Sequence, residues 1–135
     1  VMFMIAIFLA FSTGSSLCTF AILIPIVTAI FSGGGNMEMM VISISAVLAG
    51  AVCGDHVSPI SDTTIMSSAG AQCHHIDHVS TQMQYAIVVA VVCVFGYLIA
   101  GFVQVWWIVL LISVAVLLTT LTIMRKYVNK KHLKK

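Results

Sequence analysis

The sequence has no lysine or arginine before Arg125, and its acids are only Glu38, Asp55, Asp62 and Asp77. Charged residues make up 7% of the chain, against roughly 25% in a soluble domain. That scarcity argues against a water-soluble fold, because amphipathic helices need a polar stripe toward water. It also excludes a nucleic-acid-binding face, since all the positive charge lies between Arg125 and Lys135. Paired cysteines are missing as well. Cys18, Cys53, Cys73 and Cys93 stand singly without a CxxC, and they read as small apolar packing residues. The basic n-region and cleavage site of a signal peptide are absent, because the apolar run begins at Val1. On this ground the chain is expected to be truncated and to supply one of the two repeats that an alternating-access carrier needs.

What is present is apolar, 61% of all residues. The expected solvent is therefore lipid, and the expected class is an all-α, polytopic transmembrane protein of the cytoplasmic (inner) membrane. Val105 to Met124 is twenty residues without a charge, enough to cross about 30 Å of hydrocarbon. Trp106 and Trp107 mark one interface; Arg125, Lys126 and Tyr127 mark the other. Basic residues collect on the cytoplasmic side, so residues 125–135 are expected to form a cytoplasmic tail. A helix over 80–103, with its apolar span at Tyr85 to Val103, precedes this one. A tight external turn is expected at Gly101 to Gln104, which leaves His74, His75, Asp77 and His78 at the cytoplasmic surface.

The two earlier segments are each interrupted by small hydroxyl residues and Gly or Pro. In residues 1–31, Ser12-Thr13-Gly14-Ser15-Ser16 divides Val1–Phe11 from Leu17–Phe31. In residues 39–73, Gly54 to Ser61 divides Met39–Cys53 from Asp62–Cys73. An eleven-residue helix spans only about 17 Å, roughly half of the hydrocarbon, so such pieces are expected to meet near mid-depth. Unwound backbone at that depth must be buried in protein or line a wet cavity. The first segment is expected to be a re-entrant hairpin, or else a broken crossing helix, and the second a discontinuous helix. Ser32-Gly33-Gly34-Gly35-Asn36 is the flexible loop between them, expected outside.

The second break carries the chemistry. Asp55, Ser58, Ser61, Asp62 and Thr63 form an oxygen-rich island in apolar surroundings. An ionised Asp in mid-membrane costs about 2.5–3.5 kcal/mol on insertion scales, so it demands a partner or a cation. Sodium, a hard cation, is satisfied by carboxylate, hydroxyl and carbonyl oxygens. Asp62 is placed to cap the second half-helix as well as to bind an ion, and Ser61 is an equivalent cap. Asp55, following Gly54 at the expected end of a helix, has no capping role there and is the better ligand. His56 is a proton-relay candidate, since imidazole titrates near neutral pH, or a structural partner of Asp55. Ser12, Thr13 and Ser15, with Thr19 nearby, offer hydroxyls from the first break, although such hydroxyls also bond the preceding turn. His74 and His78 share a helix face at a spacing that suits zinc, but the group reads as a loop fixture or a sensor of cytoplasmic pH. No transition metal and no cofactor is expected.

The stretch GDHVSPISDTTIMSSAGAQCHHIDHVSTQMQYA, Gly54 to Ala86, resembles the C-terminal signature of NhaC-type Na+/H+ antiporters. FSTGSSLCTFAILIPI, Phe11 to Ile26, resembles the Ser/Thr/Gly-rich segment that precedes it, with Leu17 and Cys18 where the family usually has Trp and Gly. The resemblance implies the ion transporter superfamily, with hairpins and broken helices around a central ion site. By position it makes Asp55, Ser58, Ser61, Asp62 and Thr63 the motif residues. The expected function is secondary active exchange of sodium for protons, not an enzymatic reaction, with Asp55 or Asp62 holding either ion in turn. Expected partners are the bilayer and the missing N-terminal half or a separately encoded equivalent, with a homodimer also open to the chain. The alternatives are coupled exchange of a small organic acid or amine, an intramembrane zinc enzyme, and a non-functional remnant or one half of a split transporter. The membrane part has no Arg to hold an organic carboxylate, which bears against the first of these.

Overall fold

The computed structural model describes residues 1–34, 36–102 and 106–132. Among these it is entirely helical, with α1 (Met2–Thr13), α2 (Ser16–Phe31), α3 (Met37–Val57), α4 (Asp62–Gly70), α5 (His75–Phe102) and α6 (Trp106–His132). The turn expected at Gly101 to Gln104 falls partly outside the described residues, as do Gly35 and the last residues of the basic tail. Two described helices, α3 and α5, are long and apolar enough to cross a membrane.

The first break falls where its hydroxyls and glycine suggested. Gly14 ends α1 in the left-handed conformation (φ 65°), its N–H donating to Ala10 O at 2.8 Å. Ser15 then caps α2 by accepting from the N–H of Cys18. The chain reverses at this point. Leu23 and Val27 of α2 join Ala6 and Ala10 of α1, with Val47 and Ala51 of α3, in one buried core, which two collinear helices could not do. α1 and α2 therefore form a helical hairpin.

α1 runs parallel to α3 in backbone contact. A Cβ on Gly50 would strike the Phe3 carbonyl, and one on Gly54 would strike the Ile7 carbonyl. The Gly50-x-x-x-Gly54 spacing puts both hydrogens on one helix face, and Ala6 and Ala10 answer it from α1. In lipid, where apolar contact alone gives little association, such close approach supplies the dispersion and packing that hold helices together. α5 is fixed to this unit by Tyr97, whose hydroxyl donates to Ser45 O at 3.0 Å while its ring lies 5.3 Å from that of Phe3.

Several expected boundaries are corrected. α3 continues helically through Gly54, Asp55 and His56 to Val57, so the second break is confined to residues 58–61. Gly54 is in the helix for packing rather than to end it. α3, with 21 residues, is about 31 Å long and is no half-helix, whereas α1, with 12, and α4, with 9, are. α5 begins at His75 rather than near residue 80, and α6 carries the stretch expected as a tail on to His132 as helix.

Candidate ion site

Four helix ends converge on Asp55. It sits one turn from the C-terminus of α3, 4% exposed. Ser61, the N-cap of α4, donates to Asp55 Oδ1 at 2.6 Å, a length typical of a hydroxyl on an ionised carboxylate. Ser16, the first residue of α2, donates to Oδ2 at 3.3 Å, and the Thr63 hydroxyl lies 3.5 Å from the same oxygen. Because Ser61 spends its proton on Asp55, the 2.8 Å contact between Ser61 and Thr63 has Thr63 as donor. The hairpin tip closes the site from the other side: Ser58 Oγ donates to Phe11 O at 2.8 Å, and Gly14 lies so close to Ile60 that a Cβ would collide with it.

This arrangement answers the problem of a buried carboxylate in a chain without a nearby Lys or Arg. The dipole of α3 opposes a negative charge at Asp55, but the N-termini of α2 and α4 are directed at it and favour one. Two hydroxyls, of Ser61 and Ser16, donate to the carboxylate, and that of Thr63, whose hydrogen goes to Ser61, lies beside them. A hydroxyl can donate to a bare carboxylate and then turn to present its lone pairs to a cation, so the same groups serve both states of an ion site.

The expected site residues divide. Asp55, Ser61 and Thr63 are brought together, and Ser58 ties the break to the hairpin without bonding to Asp55. Asp62 is exposed in the first turn of α4, and the capping role falls to Ser61, which accepts from the N–H of Thr63 at 3.3 Å. Thr13 bonds to carbonyls of its own turn, at Leu9, and Ser15 is the α2 cap. Ser12 is exposed beside Phe8 and Leu9 on the outer face of α1. His56 is exposed and its Nδ1 lies 2.9 Å from Val52 O, so the imidazole is hydrogen-bonded along its own helix rather than to Asp55. Thr64, buried, donates to the His56 carbonyl and fastens α4 to the end of α3.

Sequence reasoning passed over two contributors. Ser16 was part of the first hydroxyl cluster, and its place one residue beyond the α2 cap is the signal that it faces along the helix entry. His75 bridges Pro59 O, at 2.7 Å from Nε2, and Ser68 Oγ, at 3.0 Å from Nδ1. Its place in the interfacial histidine group gave no hint of a link to the break. Among the described residues no group of three His, Cys, Asp or Glu is placed to hold a metal ion.

No solved structure matches the chain. An uncharacterized protein of Haemophilus influenzae (strain Rd) is 51% identical over 102 residues, which are 76% of this chain and 20% of that protein. The chain thus spans about a fifth of that relative's length. Residues 1–102, the whole of α1 to α5 with the Asp55 site inside them, match the Na+/H+ antiporter family. On that match the chain belongs to the Na+/H+ antiporter family, a family of membrane transporters.

Proposed function

We propose that the chain is the C-terminal portion of a secondary transporter of the NhaC type that moves sodium out of the cell in exchange for protons. The observation that carries this reading is the buried Asp55 carboxylate, held by the hydroxyls of Ser16 and Ser61 with that of Thr63 alongside, at the meeting of four helix ends. Sodium displaces the proton from Asp55 and takes oxygen ligands from the carboxylate and the hydroxyls; the proton displaces sodium on the other side. Coupling follows because a bare carboxylate at this depth is costly, so the site changes its facing with one ion or the other but does not return empty. The protein lies in the cytoplasmic membrane with the basic end of α6 inside. The hairpin α1–α2 enters and leaves from the outer side, and its tip reaches the break between α3 and α4.

The test is sodium-driven proton movement in proteoliposomes holding the intact transporter. Asp55→Asn keeps an acceptor for Ser61 but removes the titratable charge, and it abolishes exchange in a folded protein. Full exchange by that variant refutes the assignment.

A further inference from the structure

The break between α3 and α4 is held from a distance of sixteen residues by one side chain. His75, the first residue of α5, reaches back to the carbonyl of Pro59 with one ring nitrogen and to Ser68 on α4 with the other. The α4–α5 turn that brings it there is tight, with Gln72 at φ 52° and the N–H of Cys73 donating to Ser68 O. Ser68 is itself buried, and its hydroxyl lies 2.8 Å from Ile65 O.

Counting protons allows two states of this bridge. A carbonyl only accepts, so His75 Nε2 carries a hydrogen to Pro59 O. Ser68 has one hydroxyl hydrogen. If it goes to Ile65 O, then Nδ1 of His75 must also carry a hydrogen, and the ring is an imidazolium with every bond satisfied. If His75 is neutral, Nδ1 is an acceptor, the Ser68 hydrogen must turn to it, and the bond to Ile65 O is given up. Both geometries are within reach, but only the doubly protonated ring makes all three contacts at once.

We propose that His75 is a positioning residue for ion exchange: its ring clamps Pro59 to α4, most firmly when both nitrogens carry a hydrogen, and so holds Ser61 in place against Asp55. This rests on the Asp55 exchange reading and names a residue that acts on that site without touching it. Pro59 and Ser61 are separated by one residue in a four-residue break, so a shift of the Pro59 carbonyl moves the Ser61 hydroxyl. The other titratable and charged groups on the surrounding elements are Cys53, Asp55 and His56 near the end of α3, Asp62 on α4, Cys73 in the turn, His74, Asp77 and His78 beside His75, Tyr85, Cys93 and Tyr97 farther along α5, and Cys18 on α2. Glu38 opens α3 at its far end; α1 has none; α6 carries Arg125 and Lys126 among its basic residues. Neither ring nitrogen of His75 is bonded to any of these, both being engaged by Pro59 and Ser68.

The decisive experiment measures the KM for sodium of the intact transporter in proteoliposomes between pH 6 and pH 9, for the wild type, His75→Gln and Ser68→Ala. Gln can still donate to Pro59 O but cannot titrate. The expected result is a KM for His75→Gln about tenfold above wild type at pH 6, the size of one charge-assisted hydrogen bond, with kcat little changed. The ratio should fall toward one once the ring has lost its second hydrogen at higher pH, because the neutral ring keeps both bonds but without the charge that strengthens them. Ser68→Ala, which removes the Nδ1 partner in either state, should raise the KM at both ends of the range. A ratio that does not vary with pH, or no change in KM, overturns the proposal. Nitrogen NMR of 15N-histidine-labelled protein provides a readout that needs no transport: His75 should carry a hydrogen on Nε2 throughout and gain a second one on Nδ1 toward acid pH. A neutral ring protonated on Nδ1 overturns it as well. If Asp55→Asn proves active, the exchange reading fails, while the NMR result still decides the state of the clamp.

Discussion

Ser58 donates to the carbonyl of Phe11 at 2.8 Å, so the break between α3 and α4 is fastened to the last turn of α1 across forty-seven residues of sequence. Ser58 is fully buried, and Phe11 O lies at a helix end where no following N–H of the same helix reaches it. Ser58→Ala leaves that carbonyl without its donor. The expected cost is about 1–3 kcal/mol, the penalty for an unsatisfied buried polar group. A lowered midpoint in thermal unfolding of the detergent-solubilised intact transporter is the measurement; an unchanged midpoint would show that water or lipid headgroups replace the serine.

Gly54→Ala tests the α1–α3 seam. The added methyl meets the Ile7 carbonyl and the Ala10 methyl, neither of which is the movable end of a flexible side chain. Overpacking of this kind costs typically about 1–3 kcal/mol, and here it also displaces the helix that carries Asp55. Both thermal stability and exchange should fall, whereas Gly70→Ala, where nothing lies within 4 Å, should leave both intact.

Ser61 and Asp62 are neighbours with opposite expectations. Ser61→Ala loses the shortest bond to Asp55 and the N-cap of α4 together, so weaker sodium binding should accompany a stability loss of about 1 kcal/mol. Asp62→Asn, on an exposed position, should express normally and keep its exchange within a few-fold of wild type. A silent Ser61→Ala beside an inactive Asp62→Asn would move the ion site to the second carboxylate.

Competition of one proton with one sodium for Asp55 sets the pH profile of binding. Where a proton occupies the site, sodium must displace it, so binding should release a proton and acid should weaken apparent sodium affinity by at most about tenfold per pH unit. Calorimetric titration of the purified transporter with sodium at a series of pH values reads this directly. Sodium binding that releases no proton at any pH where it is measured would require a separate proton site, with His56 the first to replace.

Topology is tested by single cysteines after Cys18, Cys53, Cys73 and Cys93 have been replaced. A cysteine at Gly34 should react with an impermeant maleimide from outside the cell, and one at His132 only from inside. Labelling of both from the same side is incompatible with the proposed arrangement.

The features that could be read from sequence are those encoded locally. The absence of charge announced lipid, and the Ser/Thr/Gly cluster at residues 12–16 marked a break while leaving a hairpin or a crossing helix open; the structure makes it a reversal, with Gly14 at positive φ and Ser15 capping the next helix. The second break was drawn too wide because Gly54 has two meanings: it reads as a helix end, yet its missing side chain serves contact with Ile7 of a helix more than forty residues earlier. The same long-range dependence hid Ser16 and His75. Which hydroxyl of a cluster meets a carboxylate depends on how two helices are rotated against each other, and single-chain spacing does not report that angle. Ser12 and Ser16 look equivalent in the sequence, but one lies on the outer face of α1 and the other at the entrance to α2.

The seam between α1 and α3 also limits how the protein can work. Contacts made by glycine hydrogens, alanine methyls and backbone carbonyls offer no rotamers to exchange, so there is no alternative packing into which the two helices can slip. The hairpin and α3 must travel as one rigid body, carrying Asp55 and Ser16 with them. Relative movement is left to the links that lead out of this body beyond the Ser58–Phe11 bond, residues 59–61 before α4 and the turn before α5. The group that holds sodium would then ride on the stiff part of the molecule, while the hydroxyls of Ser61 and Thr63 approach or withdraw from it on the other side of a hinge.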